Sequence, residues 1–311
     1  MSVYTELNQF DMDAILSGYN LGVLNGFSGI AAGVENSNYF VDTDQGRYVL
    51  TIFERMDSDD LPYFMRLMRH LSGHGFPCPA VQTRHDDSLL FDFRGKKGCI
   101  VTCIPGCTLN DLDCRQLQSA GHMLGKLHLK GLDFPEDRSN PTFFKWIYET
   151  GQSLLNQVGE NYGNSVALLL EDEMAWQQQA VPDSLPSGLI HADYFCDNIL
   201  FSDSEVSGVI DFYYACHGFL AYDLAIAANA LAIKSAAGDR ERVDALIAGY
   251  ERVRKLTVGE SKAFSGLLRL AALRFWVSRL YDAINPRSGA MVQIKDPGEY
   301  QTKLLFCRQL K

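Results

Sequence analysis

Apolar positions change their rhythm about a third of the way along the chain. Segments 21–28, 37–42, 47–53, 89–93 and 98–104 are short, rich in β-branched and aromatic residues, and separated by Gly, Asp and Asn, the pattern of strands. One helix interrupts them. Ser58 or Asp59 is placed to cap it and Pro62 suits its first turn. Phe64, Met68 and Leu71 recur at helical spacing, and Gly73 and Gly75 end it. Ile104-Pro105-Gly106 breaks the strand rhythm. Beyond it the period is mostly helical: Leu117, Ala120, Leu124 and Leu127 share a face of a helix ending at Gly131. Further helices are predicted at 142–158, 164–180, 219–236, 239–255, 259–284 and 297–310. The exception is 187–216, where Ile199-Leu200-Phe201 and Val209-Ile210 flank the turn-rich Ser202-Asp203-Ser204-Glu205, as in a hairpin. The expectation is an α+β chain: a small β-rich N-lobe over 1–104, a hinge at about 102–108, and a larger, mainly helical C-lobe over 109–311.

Composition removes several alternatives. With 311 residues, 47% hydrophobic and 21% charged, the chain is long enough for a sizeable core and is not of disordered type. A formal charge of −10 disfavours nucleic-acid and anionic-membrane partners, which need surplus Lys and Arg. The most apolar stretch, Phe219 to Ile233, is interrupted by Asp223 and is too short to span a bilayer. Eight cysteines form no C-x-x-C pair and accompany no finger-spaced His pair, so they read as reduced thiols rather than a zinc site. The N-terminus has neither a basic start nor an apolar core, and a cytoplasmic protein is expected.

The segment with chemical content is His191-Ala192-Asp193-Tyr194-Phe195-Cys196-Asp197-Asn198-Ile199-Leu200-Phe201, followed by Gly208-Val209-Ile210-Asp211-Phe212. A kinase catalytic loop needs an Asp facing the acceptor hydroxyl, an Asn five positions later for the metal, and a second metal-binding Asp after the next hairpin. Asp193, Asn198 and Asp211 stand at those spacings. Asp and Asn are hard oxygen donors that suit Mg²⁺. Loop-capping polar residues are the plain alternative, and the combined pattern is far more specific than H-x-D alone. Gly121-x-x-x-Gly125-Lys126 lacks Walker A spacing, and no G-x-S-x-G or H-E-x-x-H occurs.

With these motifs the chain resembles the aminoglycoside-phosphotransferase/choline-kinase group of protein-kinase-like small-molecule kinases. Within that group it is most similar to the type II homoserine kinases. The similarity runs from about 20 to 300, through Gly33-Val34-Glu35-Asn36-Ser37-Asn38-Tyr39-Phe40-Val41, Ile210-Asp211-Phe212-Tyr213-Tyr214-Ala215-Cys216, Tyr222-Asp223-Leu224-Ala225, and the segment Leu273 to Asp282. The resemblance implies a bilobal protein-kinase-like fold and transfer of the ATP γ-phosphate to the hydroxyl of L-homoserine, for threonine synthesis. It implies Asp193 as the catalytic carboxylate, Asn198 and Asp211 as Mg²⁺ ligands, and Gly33, Asn36, Ser37 and Asn38 in the loop over the nucleotide phosphates. It also suggests that Asp223 bonds the catalytic-loop backbone. One departure stands out: Thr51 occupies the place where the group usually carries its phosphate-pairing Lys, and Arg47 and Arg55 each lie roughly 13 Å away along the strand.

His191, two residues before Asp193, reads as a buried scaffold rather than a base, and His128 as a core or capping histidine. A zwitterionic acceptor needs a cation for its carboxylate, and Arg supplies a bidentate fork. Arg274, Ser278 and Asp282 are successive i+4 neighbours with Arg279 one step off the row, so Arg274, Arg279 and Asp282 are candidates for one pocket wall. An Arg–Asp surface ladder is the alternative. Tyr213 and Tyr214 are candidates for the acceptor end. The rival functions are an aminoglycoside or choline kinase, and a nucleotide-binding protein without catalysis, the latter motivated by Thr51.

Overall fold

The computed structural model describes residues 4–30, 36–234, 239–286 and 295–310. The chain divides into two units, Met1–Gly106 with Ser207–Tyr213, and Cys107–Val206 with Tyr214–Lys311. The segment 207–213, assigned from sequence to the helical part, thus groups with the β-rich one.

In the first unit, α1 (Gln9–Leu16) precedes β1 (Leu24–Gly29), β2 (Ser37–Thr43), β3 (Gly46–Ile52), α2 (Leu61–Gly73), β4 (Phe91–Phe93) and β5 (Lys96–Thr102). The strands form one antiparallel sheet in the order β1-β2-β3-β5-β4. Every second residue of β2 is buried, so one face must meet an apolar layer. That layer comes from α1 and its approach: Leu7, Met12 and Ile15 pack with Tyr39, Val41, Leu50, Ile52, Phe91 and Ile100. The strand pattern left α1 unmarked, although Asn8 and Asp11 form a complete capping box at its start. The cap of α2 lies beyond both expected candidates, one residue past Asp59 and two past Ser58. Asp60 is the N-cap, without a side-chain cap bond, and just before it Asp57 accepts from the Asp59 N–H. Gly75 beyond its end takes φ 74°, the left-handed conformation glycine allows.

The second unit contains α3 (Cys114–Lys130), α4 (Phe144–Tyr162), α5 (Asn164–Ala180), β6 (Ser187–Ile190), β7 (Ile199–Ser202), the start of β8 (Glu205–Val209), β9 (Cys216–Phe219), α6 (Leu220–Ala227), α7 (Asp239–Glu251), α8 (Val258–Ile284) and α9 (Pro297–Cys307). β7 and β8 form the expected hairpin; the antiparallel pairing of β6 with β9 was not foreseen. The helix expected over 219–236 changes register, with α6 giving way to a π turn at Ala228–Ala232. There the Asn229 side chain donates to the Ala225 and Leu268 carbonyls, and the Ile233 N–H reaches back to the Ala228 carbonyl.

α3 and α7 meet backbone to backbone. A Cβ on Gly121 would lie 2.0 Å from the Leu246 carbonyl oxygen, and one on Gly249 would lie 1.9 Å from that of Gln118. Both neighbours are helix backbone and cannot swing away. Gly249→Ala is therefore expected to destabilise by about 1–3 kcal/mol through overpacking, although Ala in a helix interior is ordinarily favoured by about 1 kcal/mol over Gly. A chemical denaturation midpoint that rises in this variant would refute the packing argument. The Gly121–Gly125 spacing is thus a helix contact, and Lys126 is exposed at its edge.

Candidate active site

β6 delivers the chain at Ile190, opposite Cys216 of β9, into a loop that runs through a 3₁₀ turn at Cys196–Asn198 into β7. Within the loop Ala192 has φ 62°. For a residue with a Cβ this conformation costs roughly 1–2 kcal/mol, so something must hold it. The Asp223 carboxylate, at the first turn of α6, accepts from the His191 N–H at 2.7 Å and the Ala192 N–H at 2.8 Å. Arg274 of α8 donates to the Ala192 carbonyl at 2.5 Å. Both ends of the strained residue are pinned by buried charged groups.

Asp193 follows, half-buried, beside Asn198. The Asn198 amide nitrogen donates to the Asp193 carbonyl at 2.9 Å and to its carboxylate at 3.0 Å. Two acceptors facing one amide fix which way it points, and its oxygen is left for another partner. His191 is fully buried and accepts the Asp193 N–H on Nδ1 at 3.3 Å, with its ring edge-on to Tyr194.

The two aspartates of this loop system are tuned in opposite directions. Withdrawal from water raises the Asp193 pKa and Asp197 adds to it, while Arg274, His191 and Lys295 pull it down without cancelling the rise. Asp223 is fully buried, and burial alone would raise it as well. The His128 hydrogen bond, the His128 and His191 rings and the loop N–H outweigh that, so its pKa lies below the ordinary 3.8.

In the β-rich unit, Asp211 is exposed at φ 63°, just past β8. Tyr213 packs edge-on to Phe53 and Phe64, and its hydroxyl interacts with Cys99 and Thr51. Thr51 in turn donates to the Asn38 amide oxygen at 2.8 Å. The position expected to hold a lysine is thus built into a neutral network across β2, β3 and β5. Ser37 is fully buried: its hydroxyl accepts from the Tyr4 and Thr5 N–H groups and donates to Glu54. Asn36 accepts from the Glu54 N–H at 3.4 Å. Gly33 lies outside the described residues.

Of the acceptor-wall candidates, Arg274 is 3% exposed and engaged with Ala192. Arg279 reaches α9, donating to Glu299 at 2.6 Å and to the Asp296 carbonyl at 2.9 Å. Asp282 and Tyr214 are half-buried. Sequence reasoning missed Lys295, which acts electrostatically on Asp193 and sits 5.8 Å from the centroid of the Phe195 ring; no ion pair among the described residues involves it. His128, expected as a core or capping histidine, is fully buried, and what the sequence did not show is that its Nε2 donates to Asp223 at 3.1 Å. A clue was available in the buried face it shares with Leu124.

Residues 26–256 match the phosphotransferase enzyme family. A homoserine kinase from Neisseria meningitidis serogroup B is 42% identical over 98% of this chain and 99% of its own length, and one from Xanthobacter autotrophicus is 40% identical over 98% and 96%. Among solved structures, a spectinomycin phosphotransferase in complex with ADP and spectinomycin superposes with TM-score 0.72 at 14% identity, over 98% of this chain and 100% of that one. A choline kinase from Cryptosporidium parvum gives 0.66 at 16% identity, over 97% and 95%. These two share the fold, and the expectation of an α+β, protein-kinase-like chain holds. Matched over most of its length by the family and over nearly all of it by the two relatives, the chain belongs to the phosphotransferase enzyme family and, within it, to the homoserine kinases.

Proposed function

We propose that this chain transfers the γ-phosphoryl group of ATP to the hydroxyl of L-homoserine, giving ADP and O-phospho-L-homoserine for threonine synthesis. Full-length similarity to homoserine kinases supports the acceptor. The observation that carries the chemistry is the Asn198 amide clasped on the Asp193 backbone and carboxylate.

In this reading the Asp193 carboxylate accepts the hydroxyl proton as the oxygen attacks phosphorus, and its raised pKa suits that role. Asn198, through its side-chain oxygen, and the exposed Asp211 are hard donors that fit Mg²⁺, which keeps waters and shares phosphate oxygens. Bound there, Mg²⁺ would neutralise charge on the transferring group. With the side chains of Ser37, Asn38 and Thr51 engaged within the β-rich unit, the stretch Gly33 to Asn38 would meet phosphate through backbone N–H groups. Lys295 fits the acceptor carboxylate better than Arg279, whose charge is already met by Glu299. Arg274, Asp282, Tyr213 and Tyr214 complete the assignment as residues that shape the acceptor end. All eight cysteines are free thiols, and no helix among the described residues is long and apolar enough to cross a membrane; we place the enzyme in the cytoplasm.

The test is ADP release with L-homoserine, choline and kanamycin as acceptors. Turnover confined to L-homoserine is expected, and a preference for either cationic acceptor would overturn the assignment. Asp211→Ala is expected to raise the Mg²⁺ concentration needed for half-maximal rate. An unchanged Mg²⁺ dependence would remove Asp211 from the metal site.

A further inference from the structure

Asp223 is the end of a longer chain of buried polar groups. Its Oδ2 accepts from His128 Nε2 at 3.1 Å, and His128 Nδ1 faces the Tyr250 hydroxyl at 2.7 Å. The same hydroxyl accepts from Arg254 Nη1 at 3.1 Å, and Arg254 Nη2 donates to Glu260 at 2.8 Å. Glu260 also accepts the Thr257 N–H in the capping box that starts α8. His128, Asp223, Tyr250 and Glu260 are all fully buried.

Hydrogen-bond direction is decided at one end. Arg254 has no lone pair to offer, so it donates to Tyr250. The Tyr250 proton is then free to go to His128 Nδ1, which leaves the ring proton on Nε2, pointed at Asp223. Asp223 is thereby kept as an acceptor for the His191 and Ala192 N–H groups. The sequence runs Arg254 to Tyr250 to His128 to Asp223, in one direction, and it ends on the left-handed residue next to Asp193.

Buried charges of this kind contribute little stability compared with apolar residues of the same volume. Their value here is geometric. α3 supplies His128, α6 Asp223, α7 Tyr250, and α8 both Glu260 and Arg274, which pins the Ala192 carbonyl.

We propose that Tyr250 and Arg254 are positioning residues for phosphoryl transfer, acting through His128 and Asp223 on the conformation of Ala192 and so on the aim of Asp193. The inference rests on the reading of Asp193 as the catalytic carboxylate. Neither residue touches the reacting groups, so their loss should reach the rate and not the binding of either substrate.

The experiment compares Tyr250→Phe, Arg254→Met, Arg254→Lys and the double variant Tyr250→Phe/Arg254→Met in steady-state kinetics. Val158→Ala, which opens a cavity at a buried position of α4, serves as the stability control. The expected result is a fall in kcat of about 10–100-fold, the usual size for residues that orient a functional group from behind, with both KM values nearly unchanged. The double variant should be no slower than the slower single one, because the two residues serve one chain, and Arg254→Lys should recover part of the rate. Rates within twofold of the parent, or losses that merely follow thermal stability as in Val158→Ala, overturn the proposal. Should the variants fail to fold, ¹⁵N spectra of the imidazoles in the unaltered protein decide it. A His128 ring protonated on Nε2 with Nδ1 as acceptor is expected, and the opposite tautomer overturns the chain. Asp193→Ala, measured alongside, separates the two ideas: if it alone is inactive, only the positioning role fails.

Discussion

Asp193→Ala is expected to lower kcat by about 10²–10⁴-fold, the range of acid–base contributions, with little change in the KM for ATP. Two features make the loss specific to the reacting centre. Asp193 contributes nothing to the pinning of the loop, which runs through the backbone of His191 and Ala192 to Asp223 and Arg274. Its own carboxyl makes one side-chain bond within the loop, to Asn198. The stability side of the prediction has the opposite sign. Because withdrawal from water raises the Asp193 pKa in the folded state, the folded protein binds that proton more tightly than the unfolded chain does. The cost to folding is absent below the ordinary value of 3.8 and complete once pH exceeds the raised one. Asp193→Asn, neutral at every pH, should therefore melt higher than the parent near pH 8 and lose that advantage in acid. For a chain of this size the rise is about 2–4 °C per kcal/mol recovered. An inactive enzyme that is more heat-stable than its parent is the expected outcome. A variant that turns over at near-parental rate removes Asp193 from the chemistry, whatever its melting temperature.

The elements that could be read from sequence are those whose partners are local. β2 and β3 announce themselves as short runs rich in β-branched and aromatic residues between Gly, Asp and Asn, and α8 by periodicity, because the residues that fix them are adjacent in the chain. The β7–β8 hairpin next to the candidate residues Asp193, Asn198 and Asp211 was legible for the same reason, because its two strands are neighbours in the chain. What escaped depends on distant contacts. α1 is only 8 residues long and gains its burial from a sheet up to 90 residues away. The π turn at Ala228–Ala232 exists because Asn229 finds the Leu268 carbonyl. His128 looked like any apolar-face histidine until α6 and α7 brought Asp223 and Tyr250 to its two nitrogens. The Arg274–Asp282 row was visible as a helix face, but the face gave no sign that Arg274 would turn to Ala192 or that α9 would engage its neighbour Arg279.

The larger structural effect is expected at Asp223. Replacing it by Ala leaves the His191 and Ala192 N–H groups and His128 Nε2 without their acceptor in a region with no exposure. Each such orphan costs about 1–3 kcal/mol, and breaking a buried charged contact typically costs about 3–5 kcal/mol in all. A loss of that size consumes much of the stability of an ordinary domain. Asp223→Asn preserves shape yet should rescue little. An amide presents one oxygen and one N–H₂ group, and whichever way it is turned the N–H₂ meets a donor: the Ala192 N–H on one side, or His191 N–H together with His128 on the other. The pH response separates charge from shape. Donors hold the Asp223 pKa below 3.8 in spite of burial, so its stabilising contribution is fully present above that value and is lost as pH falls through the lowered one. The stability gap between the parent and Asp223→Asn should therefore be widest at neutral pH and close only in strong acid. A gap that is already closed at pH 6, or an Asn variant with parental kcat and melting temperature, would mean that the ionised carboxylate is not what holds Ala192 in its left-handed turn.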